Sequence, residues 1–277
     1  MDCRVIVIAN NKGGTGKSTT AVNLATGLSL VKGFRVLLID TDPQANASMA
    51  MGIDVETISH SLRDVLVSHP TDSESVLWDK GDQLTIVPAH PRLHTIEAEL
   101  LTSPGGRFRL KRWVESQQHA FDFIIIDTPP TIGILSQMAL IAGTEVLIPV
   151  DVGFFSLQGI RQLLEEIEEI RAHYNAELTV TGIVLNKYDA RTILSKQVHE
   201  LLRKRFPEKT FQTVIRISID LVRAQINRKS IFAYAPASAG AQDYARLMEE
   251  LLGNVIAFEQ QRRIRHGQQG RPNAPST

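Results

Sequence analysis

Apolar residues fall along the chain in two rhythms. Short, nearly continuous runs rich in Val, Ile and Leu occur at Val5–Ala9, Val36–Asp40, Leu84–Val87, Phe123–Asp127, Val146–Val150 and Val180–Asn186, with a weaker seventh at Thr213–Ile217. Continuous rather than alternating apolarity suits strands buried on both faces. Between these runs, apolar positions recur at the spacing of amphipathic helices, most clearly over Ser18–Val31, Phe108–Gln118, Leu157–His173, Ile193–Arg205 and Gln242–Gln261. Strands alternating with helices predict an α/β fold, a doubly wound, mainly parallel sheet with helices on both faces. No internal repeat or interdomain linker breaks the pattern. One domain over 1–265 is therefore expected, followed by a disordered polar tail over 266–277.

Composition narrows the classes. With 277 residues, 43% of them hydrophobic, the chain is long enough for one large core. Cys3 is the sole cysteine, so an internal disulfide or a cysteine-rich metal or iron–sulfur site within one chain is excluded. No apolar run reaches the roughly 18–20 residues of a membrane span, and the N-terminus enters a strand without the pattern of a signal peptide. A cytoplasmic protein is expected. The formal net charge is zero, but its distribution is lopsided. Residues 187–277 carry 16 Lys/Arg against 8 Asp/Glu, and residues 1–186 carry 14 against 22. An anionic partner for the C-terminal third accounts for that asymmetry, as does a set of solvated basic helix faces.

Chemistry concentrates at strand ends. Residues 12–19 read Lys-Gly-Gly-Thr-Gly-Lys-Ser-Thr between the first strand and the first helix. Gly13, Gly14 and Gly16 let backbone N–H groups approach phosphate oxygens, and the helix N-terminus adds positive potential. Lys17 stands where a phosphate-loop lysine neutralises β- and γ-phosphates, and the Ser18 hydroxyl stands where such loops ligate Mg²⁺. Lys12 is an additional lysine. Asp127 ends a buried apolar strand, the position of a metal-holding carboxylate, while Asp40 and Asp42 lie two apart at the end of the second strand. One of that pair can assist the metal and the other can orient an attacking water.

These motifs resemble the ParA/MinD family of deviant Walker ATPases, over residues 4–255. The carrying residues are Lys12–Thr19, Asp40-Thr-Asp-Pro-Gln-Ala-Asn46, Asp127-Thr-Pro-Pro130, Tyr188-Asp-Ala-Arg-Thr192 and Ala235–Ala241. Within the family the chain is most similar to the small ParA partition ATPases that lack an N-terminal DNA-recognition domain. The resemblance implies an Mg²⁺-dependent ATPase whose nucleotide contacts are Lys12, Gly13, Gly14, Thr15, Gly16, Lys17, Ser18, Thr19 and Asn186. Ser18, Asp40 and Asp127 would serve the metal. Lys12, Lys17, Asp42 and Asp127 would serve catalysis, with Asp42 positioning the water. Lys12 would cross to the phosphates of a second subunit in an ATP-bound sandwich dimer. Such dimers bind double-stranded DNA without sequence preference, in plasmid partition or chromosome segregation, and a centromere-binding, ParB-like partner stimulates hydrolysis and release. A nucleoid-associated location follows from that behaviour.

Other readings stay open. Asn186-Lys-Tyr-Asp189 matches the N-K-x-D guanine motif of GTPases, but Pro130 and Lys12 favour ATP. A MinD-like membrane-positioning ATPase would use Leu251–Ile264 as an amphipathic surface helix, and a ParA-like ATPase could position a cargo other than DNA. For DNA, the basic candidates are Arg191, Lys196, Arg216, Arg223, Arg228 and Lys229, with Arg203, Lys204 and Arg205 nearby. Arg191 matches the family's Tyr-Asp-x-Arg arginine. Where relatives carry Arg-Leu-Ala-Glu-Ala, this chain has Asp220-Leu-Val-Arg-Ala224. The basic residue there moves to Arg223, one helical turn on.

Overall fold

The computed structural model describes residues 2–67, 75–153 and 156–253. The strands are β1 (Arg4–Ile8), β2 (Val36–Asp40), β3 (Trp78–Asp79), β4 (Leu84–Val87), β5 (Phe123–Asp127), β6 (Glu145–Val150), β7 (Thr179–Tyr188) and β8 (Thr210–Arg216). They form one sheet in the order β3-β4-β2-β5-β1-β6-β7-β8, parallel throughout except for the short β3–β4 pair at the edge. All seven apolar runs became strands, with ends displaced by no more than three residues. Every residue of β1, β2 and β5 is buried, which is why their sequences show no alternation.

The helices are α1 (Lys17–Thr26), α2 (Asn46–Ala50), α3 (Leu62–Val67), α4 (Glu97–Thr102), α5 (Arg109–Gln117), α6 (Ile134–Ala142), α7 (Ser156–His173), α8 (Ile193–Arg205), α9 (Ile219–Ile226), α10 (Ile231–Tyr234) and α11 (residues 239–253). The first expected helix, Ser18–Val31, divides into α1 and a π-helical turn over Gly27–Val31. The last begins three residues earlier than its pattern, and its expected continuation to Gln261 lies outside the described residues, as does the tail over 266–277. Helix α6 carried no amphipathic signature because eight of its nine residues are buried, and a helix apolar on all sides has no period to detect.

Sheet order positions the site. From β1 the chain crosses over β5 to β2, and after β5 it returns past β1 to β6. The carboxyl ends of the central strands meet at that reversal, where open α/β sheets form their ligand crevice. In register, Asp127 of β5 lies beside Ile8 on one flank and Asp40 on the other. The loops following β1, β2 and β5 therefore converge.

Candidate active site

The loop between β1 and α1 is built from two left-handed glycines and held by two asparagines. Gly14 and Gly16 have φ of 74° and 89°, a region side chains rarely adopt. At Gly16 a Cβ would also come 2.6 Å from the Asn186 side-chain nitrogen. Buried Asn186, in the last part of β7, donates from Nδ2 to the Thr15 carbonyl at 2.9 Å and to Thr20 Oγ1 at 3.3 Å. Its Oδ1 is buried without a partner. Asn10 donates to the Pro149 carbonyl at 2.7 Å and accepts from the Lys12 N–H at 2.9 Å. Gly16 supplies no side-chain cap to α1, so the first-turn N–H groups remain available to an anion.

The two lysines have different stations. Lys17 is buried, and its Nζ donates back to the Lys12 carbonyl at 3.1 Å. Burial pulls its pKa down, opposed by Asp127 and Asp42. Lys12 is half-exposed and reaches sideways, with Nζ 2.9 Å from both oxygens of Asp151, just beyond β6. Thr19 accepts from Gln225 of α9 at 2.6 Å, which ties that helix to the start of α1.

The three acids differ as sharply. Asp127 is fully buried, and neither of its oxygens has a hydrogen-bond partner. Burial raises its pKa well above the ordinary range and Asp40 adds to this, while the Ser18 hydroxyl and Lys17 oppose it. An unpartnered buried carboxylate beside Ser18 fits a cation shared with nucleotide phosphates. Among the described residues no cluster of three or more His, Cys, Asp or Glu side chains could hold a metal alone. The ion would depend on Ser18, Asp127 and the phosphates together. Asp40, by contrast, is already satisfied. It accepts from the Ser48 N–H at 2.8 Å, the Ser48 hydroxyl at 2.7 Å and the Asp42 N–H at 3.1 Å. Burial still lifts its pKa to about 6. These bonds make Asp40 a brace of the turn after β2, and in register it stands next to Asp127, where support of the metal was expected of it. Asp42 is buried with one bond, from the Gln44 N–H at 2.9 Å, and burial raises its pKa against the pull of Lys17.

A cavity of about 730 Å³ opens over the loop, lined by Gly13–Gly14, Gly16–Thr19, Asp42, Pro130 and Asn186 on one side. Met49, Ile217, Val222 and Ile226 border it, and each is exposed. The structure thus gathers the loop, Asp42 and Asn186 along one crevice, with Asp127 buried near enough to Lys17 and Asp42 to feel their charge. Asp189, the acid of the guanine-type motif, is engaged elsewhere. Its oxygens accept from Arg191 Nε and Nη2 at 2.9 and 2.8 Å, which drops its carboxyl to about 2.

The basic candidates separate by partner. Lys196, Arg228 and Lys229 are exposed, as are Arg203, Lys204 and Arg205. Arg191 is paired with Asp189 yet its side chain is 88% exposed. Arg223 sits 3.7 Å from Asp220 on the surface of α9, a loose pair of small energetic weight. Arg216 is different, because Nε and Nη2 both bond Asp243, at 2.9 and 2.7 Å, and Asp243 is buried. Sequence reading passed over Asp151 and Ser48. Asp151 follows a buried apolar strand as Asp127 ends one, and that shared signal could have marked it. Nothing in the local pattern marks Ser48.

Comparison with known proteins gives a consistent picture. Residues 3–180 match the family model described as an AAA domain. The chain is 38% identical over 251 residues to the sporulation initiation inhibitor protein Soj of Bacillus subtilis, covering 91% of this chain and 99% of that protein. It is also 38% identical, over 252 residues, to the chromosome-partitioning ATPase Soj of Thermus thermophilus, covering 91% and 96%. Among solved structures, cobyrinic acid a,c-diamide synthase from Mycobacterium smegmatis with bound ADP and magnesium superposes with a TM-score of 0.79 at 28% identity, over 99% of each chain.

Proposed function

The chain belongs to the ParA family of partition ATPases, and from that membership we propose that ATP joins two copies across their phosphate loops into a dimer that binds DNA without sequence preference. It is an ATPase that uses ATP and Mg²⁺. The observation that carries the dimer reading is the division of labour between the lysines. Buried Lys17 suits the in-chain role, whereas the half-exposed Lys12 ammonium is held by the Asp151 carboxylate, a partner that it can exchange. A second subunit's phosphates would draw Lys12 away from Asp151. There it would act as a charge supplied in trans at the transferring phosphoryl group. The exposed apolar rim of Met49, Ile217, Val222 and Ile226 is the kind of surface a second subunit covers.

In the mechanism, loop N–H groups and Lys17 orient the phosphates, and Ser18 and Asp127 would hold Mg²⁺, which would supply neutralisation of phosphate charge there. Asp42 orients the attacking water beside the γ-phosphate. Asp40 keeps that turn in place through Ser48 and the Asp42 N–H. DNA contacts fall to Arg191, Lys196, Arg223, Arg228 and Lys229, with Arg216 acting chiefly through Asp243. Hydrolysis, stimulated by a centromere-binding partner, separates the dimer and releases DNA, and the DNA-bound form resides on the nucleoid. The test is Lys12→Ala, followed by light scattering with ATP and Mg²⁺. Nucleotide binding should persist while ATP-driven dimerisation disappears. A variant that dimerises and hydrolyses ATP normally would falsify the in-trans role.

A further inference from the structure

A second cavity, of about 310 Å³, shares no lining residue with the nucleotide crevice and lies between α6, α7 and the turn at residues 106–108. Glu166, Glu169, Ile170 and His173 of α7 line it, with Tyr174 beyond the helix end and Arg107 and Gln137 facing them. Glu166 is 7% exposed, and neither carboxylate oxygen has a hydrogen-bond partner among the described residues. Burial lifts its carboxyl to about 7 and neighbouring Glu169 adds to this, while the Asn11 amide opposes it without completing a hydrogen bond. Two carboxylates one helical turn apart repel each other.

The basic side chains at the rim do not answer this charge. The Arg107 guanidinium donates to Gln137 Oε1, and His173 Nδ1 lies 3.0 Å from the Glu169 carbonyl. The described side chains form no metal cluster here. The space is about ten times the roughly 30 Å³ share of one water. Its walls combine the Glu166 and Glu169 side chains with the Ile170 side chain and the Tyr174 ring, which suit an alkyl stem and a cationic head.

We propose that this cavity binds an alkylguanidinium or alkylammonium group, with Glu166 as its counter-ion. The group comes either from a free amine or from an arginine or lysine side chain of another protein. Binding ionises Glu166 and releases a proton near neutral pH. Because Asn11 precedes Lys12, the charge on Glu166 is felt one residue from the phosphate loop's second lysine.

The test is titration calorimetry on the full chain at pH 7 without nucleotide or DNA, repeated in two buffers of different ionisation enthalpy. The probes are n-butylguanidinium, its neutral isostere n-butylurea, and an end-blocked tetra-arginine peptide. Butylguanidinium should bind with proton release, butylurea should not bind, and Glu166→Gln should weaken binding at least about tenfold and abolish the proton release. Binding of the peptide alone, with the same sensitivity to Glu166→Gln, assigns the cation to a protein side chain. Absence of binding by both cations, or binding unchanged by Glu166→Gln, overturns the proposal. If Glu166→Gln does not give a native melting transition, Glu169→Gln takes its place. There, weakening of about threefold is expected, and unchanged binding overturns the site.

Discussion

At Asp127 a carboxylate is fully buried with both oxygens lacking hydrogen bonds. An unsatisfied buried polar group of this kind costs about 1–3 kcal/mol, more when charged. Asp127→Asn should therefore stabilise the nucleotide-free protein by about 1–3 kcal/mol in urea denaturation at neutral pH, while abolishing Mg²⁺-dependent hydrolysis. Chelating Mg²⁺ should leave that stability difference intact, and saturating Mg²⁺ and ATP should shrink it, because only the wild type gains the ion. A variant less stable than wild type under chelation would show that Asp127 contributes structurally. The neighbouring acids follow a different logic. Asp40 looked equally fit to serve the metal in the sequence, since both acids end buried strands. What distinguishes them is Ser48, whose N–H and hydroxyl both reach Asp40 and whose position no local pattern reveals.

Among the elements, legibility tracked burial pattern and length. Strands buried on both faces announced themselves, whereas β3, two exposed residues at the sheet edge, is too short to carry a period. Helix α9 was not distinguished as a helix by its pattern, and its Ile219, Val222 and Ile226 point to solvent rather than to the core. The β7–β8 pair rests on a contact that composition cannot display. At Gly182, where the β6–β7 register shifts, a Cβ would run into the Phe211 ring. Gly182→Ala should lower stability by about 1–3 kcal/mol, seen as a melting point several degrees lower, because an aromatic ring packed on the sheet has little room to move. Gly27→Ala, at the π-helical end of α1, meets the flexible Met248 side chain as well as the Phe232 ring. It should cost less, since methionine adapts its shape. A larger loss at Gly27 than at Gly182 would reverse that assignment.

For the whole molecule, the charge imbalance between the N-terminal and C-terminal parts resolves into two kinds of basic residue. Arg191→Glu should leave the melting temperature within about a degree, since exposed ion pairs contribute little. It should weaken the proposed ATP-dependent DNA binding similarly for unrelated sequences and flatten its salt dependence. Arg216→Ala should do the opposite. It removes the guanidinium from the buried Asp243 carboxylate, which keeps only the residue-216 N–H and the more distant Arg246, and should destabilise the fold by about 1–3 kcal/mol, with any DNA defect following the loss of structure. Equal melting temperatures for the two variants would refute this division. The sequence by itself determined the strands, the phosphate loop and the acids at strand ends, because periodicity and motif spacing are local properties that neighbouring residues enforce. Only the tertiary structure decided which charge answers which. Lys12 meets Asp151 across 139 residues, Asn186 braces Thr15 across 171, and Arg216 meets Asp243 across 27. Those distances along the chain are closed by the order of strands in the sheet and the helices packed on it, which no local pattern specifies.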